Sequence, residues 1–243
     1  MEKTREKTSF HITANADELT IREGSAPDVF QYEGFQYNAD TSDSFTKLVL
    51  AKAVRENCIV FCNEKGFYAI LDDNVQDREQ DSVSYKFALS IQAKEWEKIL
   101  TNGEVFDIKE LVDFLKRREE NEIADIDRLL HAVSNFKYVT NIQGDFSFDD
   151  RNNYTFNVKL SDGEGTVRIP KVITVNMEIL QGSDFRQDIE IEVEVQRPKD
   201  PSERPRFLLS CPKYLRYYQA AIEQECTLLP ERLPNYLIVR GSC

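Results

Sequence analysis

The chain has 243 residues and a formal charge of −12, which disfavours non-specific binding to phosphate backbones, because such binding draws on clustered Lys and Arg. A hydrophobic fraction of 41%, with fifteen Phe and ten Tyr, separates it from disordered acidic chains and is enough for a substantial core. The length fits one elaborate domain or two small lobes.

Residues 1–41 read as a partly ordered N-terminal arm. Met1 to Ser9 is polar and lacks the apolar stretch of a signal peptide, Gly24, Pro27 and Gly34 punctuate the rest of the arm, and Glu18 to Arg22 is one short strand candidate. From Asp43 the pattern changes. Phe45, Leu48, Val49, Ala53 and Val54 recur at helical spacing, which predicts a helix over Ser44 to Glu56 capped by Ser42 or Asp43.

Two short apolar runs, Cys58 to Cys62 and Phe67 to Leu71, flank Asn63-Glu64-Lys65-Gly66 and predict a β-hairpin. Val83, Tyr85, Phe87 and Leu89 alternate with smaller or polar residues as a half-buried third strand. Helical periodicity returns over Ile91 to Leu100, around Trp96. Asp107 can cap a further helix whose stripe is Ile108, Leu111, Val112, Phe114 and Leu115, and another helical stretch runs from Ile123 to about Ser134.

Beyond Phe136 the period becomes two. Tyr154, Phe156, Val158 and Leu160 share one face, and a turn at Asp162-Gly163-Glu164-Gly165 leads into Val167 to Leu180, where Pro170 forces a bend or an edge. Ile173, Val175, Met177 and then Ile189, Ile191, Val193 alternate with polar residues, as an antiparallel meander with one buried face does. Arg197 to Pro205 is an exposed loop. Phe207 to Leu209 is a strand, Tyr214 to Glu225 a helix, and Tyr236 to Val239 a last strand. The expected fold class is α+β: a helix-rich part with a hairpin over 42–135, then a sheet-rich part with one helix over 136–243, the two forming one domain or two.

No apolar run approaches the roughly 18 residues of a membrane span. The five cysteines, Cys58, Cys62, Cys211, Cys226 and Cys243, are odd in number and form no compact framework, so free thiols in a reducing, cytoplasmic setting are expected. Cys58 and Cys62 in particular read as two buried thiols on one face of a strand, since Cys-x3-Cys without a second pair is a poor zinc signal.

The two histidines, His11 and His131, have no neighbours at metal or triad spacing, and neither phosphate-loop motif occurs. No catalytic, cofactor-binding or metal-ligating residue is assigned. Carboxylates at Asp72-Asp73 and at Asp145, Asp149 and Asp150 keep a metal-dependent nuclease-like reading open, because two-metal sites assemble from distant acids; Asp is also common at strand ends and turns for backbone reasons. Tyr214, Tyr217 and Tyr218 beside Lys213 and Arg216 fit base stacking or, more simply, helix packing. The candidate partner-binding residues are Glu190, Glu192 and Glu194, which repeat along one strand face at about 6.7 Å, twice the strand rise. Such a row imitates a line of phosphates, or is a solvated face balanced by Lys or Arg on the adjacent strand.

Phe45 with its helix, Ile59-Val60-Phe61-Cys62-Asn63, Phe67-Tyr68-Ala69-Ile70-Leu71-Asp72, Phe87-Ala88-Leu89 leading to Glu95-Trp96, then Phe106, Leu111, Phe114, Leu115 and Ile169-Pro170 come one after another in an order that resembles the phage and prophage family of unknown function typified by YfdQ. The resemblance spans roughly Ser42 to the C-terminus. It implies a phage or prophage origin and a bacterial intracellular setting, and carries no catalytic motif. The expected function is that of a non-enzymatic accessory protein which binds a host or phage macromolecule, with a basic or nucleic-acid-binding protein complex as partner and no direct nucleic-acid binding. A self-assembling structural protein is the third class.

Overall fold

The computed structural model describes residues 34–74, 80–119, 121–136, 147–148, 153–160, 163–196 and 205–242, within one unit, Glu33–Cys243. The hairpin is present as β2 (Ile59–Asn63) and β3 (Gly66–Ile70), antiparallel, with Asn63 opposite Gly66. Gly66 is required at the turn: its φ is +148°, and a Cβ there would lie 1.9 Å from the Tyr85 carbonyl oxygen. That carbonyl belongs to β4 (Ser82–Lys86), which pairs antiparallel with β3.

A strand that the periodicity missed, β1 (Gln36–Ala39), lies inside the expected arm and runs parallel to β4. It leads into α1 (Ser42–Lys52), whose N-cap is Thr41 rather than Ser42 or Asp43: the Thr41 hydroxyl accepts from the Ser44 N–H at 3.0 Å. The helix stops short of Glu56 because Ala53 turns extended and gives its N–H to the Val49 carbonyl. Phe45 and Val49 are its buried stripe, and Phe45 meets Phe67 with ring centroids 5.4 Å apart.

The stretch from Ile91 forms two short helices, α2 (Ile91–Glu95) and α3 (Glu97–Thr101), which meet at Trp96; the Ser90 side chain caps the first. Next come β5 (Glu104–Phe106) and α4 (Ile108–Leu115). At the start of α4, Asp107 accepts from the Glu110 N–H at 2.8 Å and Glu110 accepts from the Asp107 N–H at 2.9 Å, a reciprocal capping box. Then α5 (Ile126–Phe136) starts three residues after Ile123, which is itself bridged to Val175.

The later strands do not form one meander. β6 (Ser147–Phe148), β7 (Asn153–Leu160) and β8 (Gly163–Pro170) make a three-stranded antiparallel sheet of their own. At Pro170 the chain leaves that sheet, and β9 (Val172–Glu178) enters a second one with β10 (Arg186–Gln196), β11 (Arg206–Ser210) and β5, in the order β5-β11-β10-β9. The bend expected at Pro170 is thus a change of sheet, in keeping with a residue that lacks an N–H for the ladder. α6 (Tyr214–Arg232) is longer than its sequence signal, and β12 (Leu237–Arg240) closes the chain.

β12 pairs parallel with β2, giving a five-stranded mixed sheet in the order β1-β4-β3-β2-β12. Since β12 joins the first sheet and β5 the last, the change of composition near residue 135 does not divide the sheets. The two larger sheets are tied where Leu89 bridges Leu180 and the Gln181 N–H reaches the Ala88 carbonyl. The fold is α+β. Ile173, Val175, Met177, Ile189, Ile191 and Val193 are all buried in one continuous core with Trp96, Phe67 and Phe207.

Candidate partner-binding face

β10 is a strand of strict alternation. Burying Ile189, Ile191 and Val193 on one side obliges Asp188, Glu190, Glu192 and Glu194 to stand on the other, and all four are exposed. Lys or Arg on the adjacent strands would balance this row; the register places neutral residues there instead. Asn176 lies opposite Asp188, Thr174 opposite Glu190, Val172 and Ser210 on the two sides of Glu192, and Leu208 opposite Glu194. Val172 is 42% exposed, and Val105, next across from Leu208, is 44% exposed, so the face is a carboxylate row bordered by small apolar patches.

Glu190 is the one member of the triad with a cation. Lys213, at the head of α6, bonds its carboxylate at 2.5 Å, and this hydrogen bond holds the Lys213 amine above its usual pKa. The same helix end covers the free margin of β10: the Glu190 N–H donates to the Tyr217 hydroxyl at 3.3 Å, and the Gln187 amide donates to the Tyr217 carbonyl at 3.0 Å. Glu192 and Glu194 have no hydrogen-bond or ion-pair partner among the described residues. Burial above all, with a smaller push from Glu192 and Glu190, raises the Cys211 thiol to about 11.

The remaining sequence candidates separate. Asp72 accepts from the Asn57 amide and the Asn74 N–H, and Asp73 from the Gln80 amide, so both are tied up in the turn after β3. Asp145, Asp149, Asp150, His11 and Cys243 lie outside the described residues, and His131 is exposed on α5. Tyr214, Tyr217 and Tyr218 are half-buried against the core, with Tyr214 and Tyr218 ring centroids 6.0 Å apart, so they pack rather than present free stacking faces. Among the described residues no group of three or more His, Cys, Asp or Glu side chains is arranged to hold a metal ion.

The expectation of free thiols fails at two cysteines. Cys62 is joined to Cys226 of α6 in a disulfide with Cα atoms 6.2 Å apart, while Cys58 and Cys211 are buried free thiols. The pairing has no local signal because 164 residues separate the two cysteines, and only the packing of α6 on β2 brings them together. Beside the disulfide lies an open cleft of about 790 Å³ whose lining includes Cys62, Tyr218, Ile222 and Leu215, with Glu223 and Arg240 at one wall in a two-pronged ion pair at 2.7 and 2.8 Å.

Two buried polar networks lie elsewhere in the fold. Trp96, Glu122, Arg118 and Glu95 form one; Glu225 with Ser183, Arg232 and Ser42 forms the other. Every buried side-chain polar atom among the described residues has a partner. No described helix is long and apolar enough to cross a membrane. Comparison with protein-family models, with curated proteins and with solved structures found nothing that matches the chain.

Proposed function

We propose that this chain is a non-enzymatic binding protein that docks a basic macromolecular partner through the outer face of the β5-β11-β10-β9 sheet. The single observation that supports this reading most is the row Glu190, Glu192 and Glu194, exposed and facing neutral cross-strand neighbours, with only Glu190 paired to a cation. A surface acid normally acquires a basic neighbour at small cost, and like charges in line repel; a row left largely unbalanced is suited to a partner that supplies the cations. Carboxylates spaced at about 6.7 Å along a strand stand in for successive phosphates, so the partner class is a protein that ordinarily grips nucleic acid. With the phage-family resemblance, this makes the chain an accessory protein that occupies a host or phage nucleic-acid-handling or defence complex.

The test is capture from infected bacterial cells, then kinetics with the purified partner. Association should slow as salt shortens the Debye length to about 8 Å and below, with dissociation changing less, and DNA should compete for the same partner surface. A Glu190→Gln, Glu192→Gln, Glu194→Gln variant keeps strand shape and should lose the fast association. An unchanged on-rate at low salt would refute the reading.

A further inference from the structure

We propose that Cys62 and Cys226 are a reversible thiol–disulfide couple that latches α6 to β2 and, through α6, sets how firmly Lys213 and Tyr217 hold the margin of the acidic row. This control rests on the proposed docking role of that row; the latch itself does not.

The pair is selective. Of the four cysteines among the described residues, Cys58 and Cys211 remain buried thiols, and only Cys62 and Cys226 are brought within bonding reach, one from the sheet and one from the helix. The bond also lies beside an opening. Cys62 lines the cleft between α6, the β2–β3 turn and the end of β12, which Cys58 and Cys211 do not; Cys62 and Cys226 are themselves buried, so a small dithiol in the cleft attacks when α6 opens locally. Thiolate attack on one sulfur of the pair breaks the S–S bond and leaves a mixed disulfide with the reductant, whose second thiol then displaces the protein sulfur. Two electrons and two protons convert the pair to two thiols, and the reductant leaves as its own disulfide.

The consequence runs along the helix. The buried side chains of α6 start only at Ala221 and continue through Ile222, Glu225, Cys226 and Leu229, so its first half, Tyr214 to Ala220, has no fully buried anchor. That half is held by half-buried tyrosines and by contacts to β10: Lys213 to the Glu190 carboxylate, the Glu190 N–H to Tyr217, and the Gln187 amide to the Tyr217 carbonyl. The covalent bond at Cys226 is the strongest tether of the second half. Its release lets the helix fray from its weakly packed end, where Lys213 neutralises one of the three candidate carboxylates.

The experiment compares the full chain incubated with oxidised glutathione and with dithiothreitol. After denaturation and alkylation, peptide mapping of the oxidised sample should yield a linked Cys62–Cys226 peptide that the reduced sample lacks. Native hydrogen exchange of the amides in 214–220 should be about tenfold faster in the reduced sample, the scale of a local opening. Cys226→Ala should exchange like the reduced form and ignore dithiothreitol. Absence of the linked peptide after oxidation, or equal exchange in the two redox states of the wild type, overturns the proposal even if Cys226→Ala fails to fold. Binding of a lysine-rich synthetic peptide, measured in parallel with the triple Gln variant, reads the docking face alone; its failure would remove the proposed function and leave the latch standing.

Discussion

Trp96 donates its indole N–H to the Glu122 carboxylate at 2.5 Å, and both side chains are buried. The other Glu122 oxygen accepts the Glu119 N–H at 2.9 Å, and Arg118, almost fully covered, lies 3.7 Å from Glu122 and also bonds Glu95. Its guanidinium sits 4.5 Å from the Phe114 ring centroid, so the network is at once ionic and aromatic. Glu122→Ala strands an indole donor and removes one of two carboxylates from a buried arginine, which should cost about 3–5 kcal/mol. For a chain of this size that lowers Tm by about 10 °C. Trp96 is the sole tryptophan, so the melt is read directly from its fluorescence. Glu122→Gln, which keeps an acceptor, should lose less; equal losses would mean that the charge, not the hydrogen bond, dominates.

Ile191→Asp should abolish the folded state. Ile191 is fully buried in the middle of β10, and an unpaired carboxylate there costs several kcal/mol, comparable with the whole stability of a domain. Retention of the wild-type Tm would show that the register of β10 is wrong, and with it the placement of the acidic row.

Gly66→Ala tests the hairpin. With φ at +148° and the Tyr85 carbonyl oxygen 1.9 Å from the position a Cβ would take, the β3–β4 pairing has to open before any side chain fits. The expected loss is about 3 kcal/mol, at the upper end of ordinary overpacking, and chemical denaturation should register it as a lower midpoint. A neutral result would locate the turn elsewhere.

Alkaline pH should weaken the fold through its buried thiols. Burial raises Cys58 from 9.0 to about 11 and Cys211 likewise. Below pH 9 both thiols are protonated whether the chain is folded or not, and their contribution is intact. Between pH 9 and about 11 the unfolded chain ionises while the folded one cannot, so stability falls as pH rises, by up to about 2–3 kcal/mol for each thiol. Urea midpoints at pH 8 and pH 10 should therefore differ less in a Cys58→Ala, Cys211→Ala variant than in the wild type. An identical pH dependence would assign the alkaline loss to other groups. Tyr85 and Tyr214, also raised by burial, are the first to consider.

Features that close over a few residues were legible in the chain alone. Alternation over Ile189 to Val193 fixed which side of β10 faces the core, and therefore that Glu190, Glu192 and Glu194 point to solvent, because a strand's side chains have no third direction. Asp107 announced the start of α4 for a similar reason: an N-cap closes within the first turn and needs nothing from the rest of the chain. Long-range packing set whatever depends on distant partners. It gave the acidic row neutral neighbours, since Thr174, Val172, Ser210 and Leu208 reach their positions only through the pairing of β9, β10 and β11. It recruited β1, whose four residues gain a ladder only beside β4, and split the expected meander at Pro170 between two sheets. It joined Cys62 to Cys226 across 164 residues, a closeness that no local spacing encodes because it is set by how a helix packs on a sheet.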